Sequence, residues 1–352
     1  MPPIPLAAGR RELPLRILMV TDAWRPQING VVHTLERLSA TLLASGVETR
    51  FLTPAGFPTL PLPTYPDIRL ALTTPRHVAR LIEQTAPDHI HIVTEGPLGL
   101  MARRHCLAMQ RPFTTSYHTR FPEYLRARLP VPEEWTYRWL RNFHNAGQGT
   151  LVATQSLARN LTARGFKRLK PWTRGVDTGL FRPDRRRDLD FPRPIFLCVG
   201  RVAVEKNLPA FLELDLPGSK LVVGDGPELE RLRAKYPQVF FLGHKPTEDL
   251  ANLYASADVF VFPSRTDTFG NVIIEALASG TPVAAYPVTG PIDIIGDGKG
   301  GIVSDDLGTA ALSALDISRD QALAKALRYS WDACAEMFMD AVRSALADIP
   351  RT

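Results

Sequence analysis

The sequence predicts an α/β protein built from two doubly wound parallel-sheet domains. Three observations carry that expectation. Short apolar runs rich in β-branched and aromatic residues, such as 16–21 and 258–262, alternate with segments of helical periodicity. Gly- and Pro-punctuated loops follow several of those runs, as a strand–loop–helix unit requires. The chain has 352 residues, enough for two well-buried cores.

Along the chain, 16–21 reads as a first buried strand. A loop over 22–30 follows, and then a helix over 31–45 with apolar residues at 32, 35, 38 and 42 and a cap at Gly46. Strands are expected at 48–53, 68–72, 89–93, 113–117 and 151–154, with helices between them. The Pro-rich 54–66 stretch reads as a surface loop. A polar, Pro-flanked run over 175–191 reads as the linker between domains. A second domain opens with a strand ending at Gly200, continues through strands at 220–223 and 239–242, and closes with a helix over 322–342. The expected domains are 1–190 and 191–325, with a C-terminal helix over 326–352 returning to the first.

Composition narrows the function classes. Apolar content of 45% and charged content of 22% describe a globular protein. The three cysteines are scattered without Cys-x-x-Cys spacing, which argues against a zinc site or a disulfide framework and fits a reducing cytoplasm. Neither a signal-peptide core nor an apolar run of about 18 residues is evident. The net charge of +6 conceals an asymmetry. Residues 1–190 carry 27 Lys and Arg against 15 Asp and Glu, while 191–352 carry 15 against 21. One basic half points to an anionic surface, and charge alone leaves lipid and nucleic acid both open.

The richest stretch is 263–282, Pro-Ser-Arg-Thr-Asp-Thr-Phe-Gly-Asn-Val-Ile-Ile-Glu-Ala-Leu-Ala-Ser-Gly-Thr-Pro. It leaves a buried strand and enters a helix that Gly280 and Pro282 end. A loop before a helix N-terminus offers backbone amides to an anion. Asp267 lies in the loop and Glu275 one turn into the helix. Two carboxylates beside a phosphate cradle suit hydroxyl-rich groups on either side of a diphosphate, which describes a sugar nucleotide. Arg201 and Lys206, after the strand ending at Gly200, are placed to neutralise that diphosphate. Ser116-Tyr-His-Thr119 ends another strand, where a His points toward a ligand or serves as a satisfied structural residue. Gly224-Asp-Gly226 is too short for a dinucleotide fingerprint, so no cofactor is expected. Asp188-Leu-Asp190 has Asp-x-Asp spacing, but its charged linker setting lacks a preceding strand, and no metal site is expected.

A carboxylate and, eight positions on, a Glu, with Phe269-Gly270 between them, resembles the signature of retaining family-four glycosyltransferases of GT-B fold. Gly200-Arg201 with Lys206-Asn207 resembles that family's diphosphate clamp. Pro26-Gln-Ile-Asn-Gly30-Val resembles its N-terminal glycine loop, though an ordinary βα turn reads the same way. Tyr329-Ser-Trp331 resembles its closing helix. The likeness runs from about residue 16 to 346. It implies two facing Rossmann-like domains, with the sugar nucleotide mainly in the second and the acceptor mainly in the first. It also implies that Asp267 and His118 meet the donor sugar, and that Glu275 meets the ribose. Gly30, Phe269, Gly270 and Asn271 would complete the donor site. The family's first carboxylate is usually Glu; Asp267 is one methylene shorter. The likeness is greatest to GDP-mannose-dependent α-mannosyltransferases acting on lipids or glycolipids. UDP-sugar transferases making diacylglycerol glycolipids share much of it. A GT-B-shaped nucleotide-binding protein without turnover is the reading from another class.

Residues 120–143 interleave Arg126, Arg128, Arg138 and Arg141 with Trp135, Trp139 and Phe143, the last three spaced to share one helical face. Such a helix suits an anionic lipid interface, and it equally suits core packing with a solvated Arg face. With a lipid acceptor, the expected location is peripheral on the inner face of the cytoplasmic membrane, without a nucleic-acid partner.

Overall fold

The computed structural model describes residues 14–25, 30–62, 65–126 and 131–347. The chain divides after Phe113 into two compact units.

The first unit holds β1 (Arg16–Val20), β2 (Glu48–Leu52), an antiparallel pair β3 (Thr59–Leu62) and β4 (Tyr65–Ala71), and β5 (His89–Ile92). β1 pairs in parallel with β2 on one side and β5 on the other. The helix Gly30–Ala44 links β1 to β2 and buries Val32, Leu35, Leu38 and Leu42, the stripe expected from its period. Gly46 then turns the chain at φ +78°, where an L side chain is strained.

Two expectations fail here. The 54–66 stretch is not a plain loop, because Pro54–Gly56 forms a 3-10 turn and β3 follows it. The strand expected at 68–72 is β4, and it pairs with β3 rather than joining the parallel sheet. A two-stranded ribbon leaves one side of each strand unpaired, so Pro61 is tolerated opposite Arg69.

The second unit opens with β6 (Phe113–Tyr117), β7 (Gly149–Val152) and β8 (Leu169–Pro171), paired in parallel in that order. It continues with β9 (Ile195–Val199), β10 (Ser219–Val223), β11 (Phe240–Gly243), β12 (Val259–Phe262), β13 (Val283–Ala285) and β14 (Gly301–Val303). These six form a parallel sheet in the order β11-β10-β9-β12-β13-β14. Both faces are covered, so the strands bury side chains on alternating sides. Leu197, Leu221 and Phe260 enter one core, while Phe196, Val222 and Val261 enter the other. Strand order reverses between β9 and β12, which puts a crevice at their carboxyl ends.

The closing helix is two helices. Ser318 and Gln321 make a capping box for Arg319–Ala326, and Trp331–Ala347 follows a break. The latter packs on β7, with Phe338 against Trp172 at 5.7 Å and Lys170 Nζ donating to Ser344 Oγ at 3.3 Å. Gly175 admits Trp331, since a Cβ there would fall 2.6 Å from the Trp331 backbone nitrogen. Among the described residues no helix is long and apolar enough to cross a membrane.

Candidate active site

Two loops that carry predicted residues leave the switch point, one after β9 and one after β12. β9 leads into Gly200 and Arg201, and a short 3-10 turn Val204–Lys206 brings up Lys206. The neighbouring loop after β10 presses directly on this one. A Cβ at Gly224 would fall 1.9 Å from Gly200 O, and one at Gly226 would fall 2.4 Å from Val202 O. Only glycine fits at either position, and Val202 N donates to Asp225 O at 2.9 Å across the contact. The Gly-Asp-Gly turn therefore supports the loop after β9.

β12 leads into the second loop. Buried Phe269 packs on Tyr329 at 5.8 Å, and Gly270 begins the helix Asn271–Ala278 at φ +89°. A side chain at Gly270 would be strained, and its Cβ would lie 3.0 Å from Ile273 and 3.2 Å from Phe262. A helix N-terminus at this point offers its first backbone amides to an anion. Two bonds tether this loop to the one after β9: Asn207 Nδ2 to Pro263 O at 3.1 Å, and Thr266 Oγ1 to Glu205 O at 3.3 Å. Asn207 makes its bond from a left-handed backbone, φ +53°.

The structure brings Lys206 and Asp267 together as an ion pair, Nζ to Oδ1 at 2.6 Å, with both side chains mostly buried. The sequence assigned them to different parts of the donor. Glu275 is partly buried, and Tyr254 OH donates to its Oε2 at 3.1 Å. Burial raises its carboxyl from the ordinary 4.5 to about 7, against the lowering effect of that hydrogen bond. Tyr254 went unnoticed in the sequence, where its helix carries no motif. The aromatic at a buried helical position was its only signal.

His118 follows β6, and its backbone oxygen accepts from Thr268 Oγ1 at 2.7 Å, which ties it to the β12 loop. Arg174 Nη2 lies 3.3 Å from His118 Nδ1. Nearby, Asp293 accepts from Ser156 N at 2.9 Å and from Ser156 Oγ, at the start of the helix Gln155–Ala163. Arg174, Ser156 and Asp293 were all missed, since each acts through partners remote in sequence. Gly30 belongs to the first unit, where it is the first residue of its helix.

The basic aromatic segment forms the helix Glu133–His144, whose exposed face carries Trp135 (70% exposed), Arg138 and Trp139 (40%). Phe143 keeps ring contact with Trp139 at 6.2 Å but turns inward from the exposed face. It is buried with Tyr137 and Leu140 in the core, because a hundred degrees per residue carries it round from Trp135. Arg126 pairs with Glu133 at 3.0 Å, and Arg141 donates to Arg164 O at 2.8 Å. Arg128 lies outside the described residues. Asp188 and Asp190 are exposed.

The Glycosyltransferase Family 4 description matches residues 28–180, and the Glycosyl transferases group 1 description matches 193–319. A GDP-mannose-dependent alpha-mannosyltransferase of Corynebacterium glutamicum is 28% identical over 366 residues, covering 95% of this chain and 88% of the relative. A GDP-mannose-dependent alpha-(1-6)-phosphatidylinositol monomannoside mannosyltransferase of Mycobacterium tuberculosis is 30% identical, covering 83% and 80%. In fold, the chain matches Anabaena HepE in complex with UDP and glucose at a TM-score of 0.69 and 16% identity, covering 94% of this chain and all of that one.

Proposed function

We propose a reaction for a chain that belongs to the family-four, group 1 glycosyltransferases and has the GT-B fold: it moves a hexose from a nucleotide sugar to a lipid or glycolipid acceptor, retaining the anomeric configuration. Mannose from GDP-mannose is the first donor, in line with what the two mannosyltransferase relatives are named for. The observation that carries the reading is the tethered pair of loops at the switch point, where Lys206 and Asp267 form an ion pair just before the helix that carries Glu275.

In this reading the diphosphate sits against Arg201, Lys206 and the amides around Phe269, Gly270 and Asn271. As it leaves, its growing charge meets fixed cations and dipoles, which is where most of the rate enhancement arises. Asp267 and His118 hold the sugar, Glu275 takes the ribose hydroxyls, and Gly30 adds a donor contact. The departing phosphate removes the acceptor proton on the face it leaves, so no protein nucleophile is required. Residues 1–190 serve as the acceptor domain, 191–325 as the donor domain, and the C-terminal helix returns to the former. The shorter Asp267 carboxylate favours keeping UDP-sugars as a second donor class, since it changes the reach to the sugar hydroxyls.

Hydrolysis and transfer assays over GDP-mannose, UDP-glucose, UDP-glucuronate and UDP-galactose test the reading. Turnover of one donor is expected, with the α-anomer retained in the product. Binding of nucleotide without hydrolysis or transfer of any donor would leave only a nucleotide-binding protein. Chelators are expected to leave the rate unchanged, whereas strict dependence on a divalent ion would bring Asp188 and Asp190 back into question.

The membrane reading makes its own prediction. Exposed Trp135 and Trp139 supply apolar insertion, and Arg126 and Arg138 supply an attraction of about 1 kcal/mol each that salt screens. Sedimentation with anionic vesicles is expected to fall as salt rises, and with zwitterionic vesicles to be absent. Trp135→Ser should weaken binding at every salt concentration, and Arg126→Gln with Arg138→Gln should weaken it mainly at low salt. A protein that ignores anionic vesicles at low salt yet glycosylates a soluble acceptor would refute the lipid assignment.

A further inference from the structure

A charged side chain buried beside the site has no role in the reaction as derived so far. Arg174 is 4% exposed, and among the described residues no carboxylate pairs with it. Its Nη1 donates to Trp172 O at 2.8 Å and Thr173 O at 3.1 Å, and its guanidinium lies 4.3 Å above the Trp172 ring. Its Nη2 reaches His118 Nδ1 at 3.3 Å, and the Trp172 ring meets the imidazole edge-on at 5.6 Å. Burial lowers the Arg174 pKa to about 10, so the group remains a cation. Taking a cation out of water without a carboxylate is costly, and an apolar side chain would fill the space more cheaply.

Chemistry fixes the direction of the His118 contact. A guanidinium carries five N–H donors and has no acceptor. His118 Nδ1 must therefore accept, which leaves its proton on Nε2. We infer that Arg174 is a positioning residue that fixes His118 as the Nε2–H tautomer on a ring braced by Trp172. His118 is then held as a neutral imidazole whose one N–H is a donor at a fixed position. Thr268 holds the same residue from its backbone oxygen, so ring and backbone are set independently. The inference rests on the sugar-orienting role proposed for His118, and its test reads the tautomer without any substrate.

The experiment is long-range ¹H–¹⁵N correlation on protein labelled at its 8 histidines, with the His118 signals assigned by their loss in His118→Gln. The wild-type protein is expected to show the Nε2–H pattern at His118 near pH 8. An Nδ1–H pattern there would overturn the inference whether or not any variant folds. Arg174→Met should release the tautomer to a mixture and lower turnover by about ten- to a hundredfold, with donor KM changed less than about threefold, as small misplacements near a reacting centre do. Arg174→Lys, which keeps a donating cation, should retain more of both. A folded Arg174→Met protein with the tautomer unchanged would overturn the inference even if its activity fell, because Arg174 would then act only through packing. A shifted tautomer at full activity would instead keep the Arg174–His118 link and overturn the role of His118 in transfer.

Discussion

Lys206→Ala and Arg201→Ala should each lower turnover by about a hundredfold or more while the protein stays folded, since each removes a fixed charge from the leaving diphosphate. The structure adds a detail for Lys206. Its ammonium sits 2.6 Å from Asp267, so the diphosphate must compete with a carboxylate for it. Asp267→Asn weakens that competition. It should leave nucleoside diphosphate binding intact or tighten it, while impairing hydrolysis of the sugar nucleotide. Lys206→Ala should weaken binding of both ligands. Calorimetric titration with the nucleoside diphosphate, beside turnover of the sugar nucleotide, separates the two effects. Ordinary turnover in folded Lys206→Ala and Arg201→Ala proteins would sink the clamp assignment. Equal loss of both ligands in Asp267→Asn would show that this carboxylate is not devoted to the sugar.

Much of the donor half was legible because its signals are local. The helix Asn271–Ala278 ends just before Gly280 and Pro282 as expected, since a buried strand, a glycine and a glycine–proline stop fall within 25 residues. Arg201 and Lys206 lie after a strand whose apolar run is unbroken, as a strand covered on both faces requires. Partners that meet only in space were not legible. Arg174 lies 56 positions from His118, and Tyr254 lies 21 from Glu275, with no period or spacing joining either pair. The Lys206–Asp267 pair spans 61 positions, and both residues were found while their mutual contact was not. The β3–β4 ribbon was lost for another reason. Prolines at 54, 58, 61, 63 and 66 signal a loop, and only a ribbon with an unpaired side accommodates a strand among them. The Trp135, Trp139 and Phe143 face failed on angle, since steps of four residues accumulate about 40° each and eight residues turn Phe143 into the core.

Glu275→Gln should make the protein more stable at pH 8 and less able to bind its donor. In the native protein burial holds the Glu275 carboxyl at about 7, above the ordinary 4.5, with Tyr254 donating to one oxygen. A raised carboxyl pKa means that the native state binds the proton more tightly than the unfolded chain does. Its unfavourable contribution is therefore absent below about pH 4.5, grows as pH rises, and is complete above about 7. A shift of that size amounts to about 3 kcal/mol. Glutamine keeps an acceptor for Tyr254 and carries no charge to bury. The mutant should thus melt several degrees above wild type at pH 8, with the difference vanishing toward pH 4.5. The ionised carboxylate is retained for binding, because two ribose hydroxyls have hydrogen-bond donors to give it. Wild-type affinity for GDP-mannose or UDP-glucose should then fall as pH drops below 7, by up to about tenfold per unit. Both phosphates of a sugar nucleotide remain ionised through this range, so the slope reports the protein. Glu275→Gln should bind more weakly at pH 8 and lose that slope. Equal melting temperatures at pH 8 would show that this carboxylate is not strained by burial, and an unchanged slope in the mutant would show that it is not the group that receives the ribose.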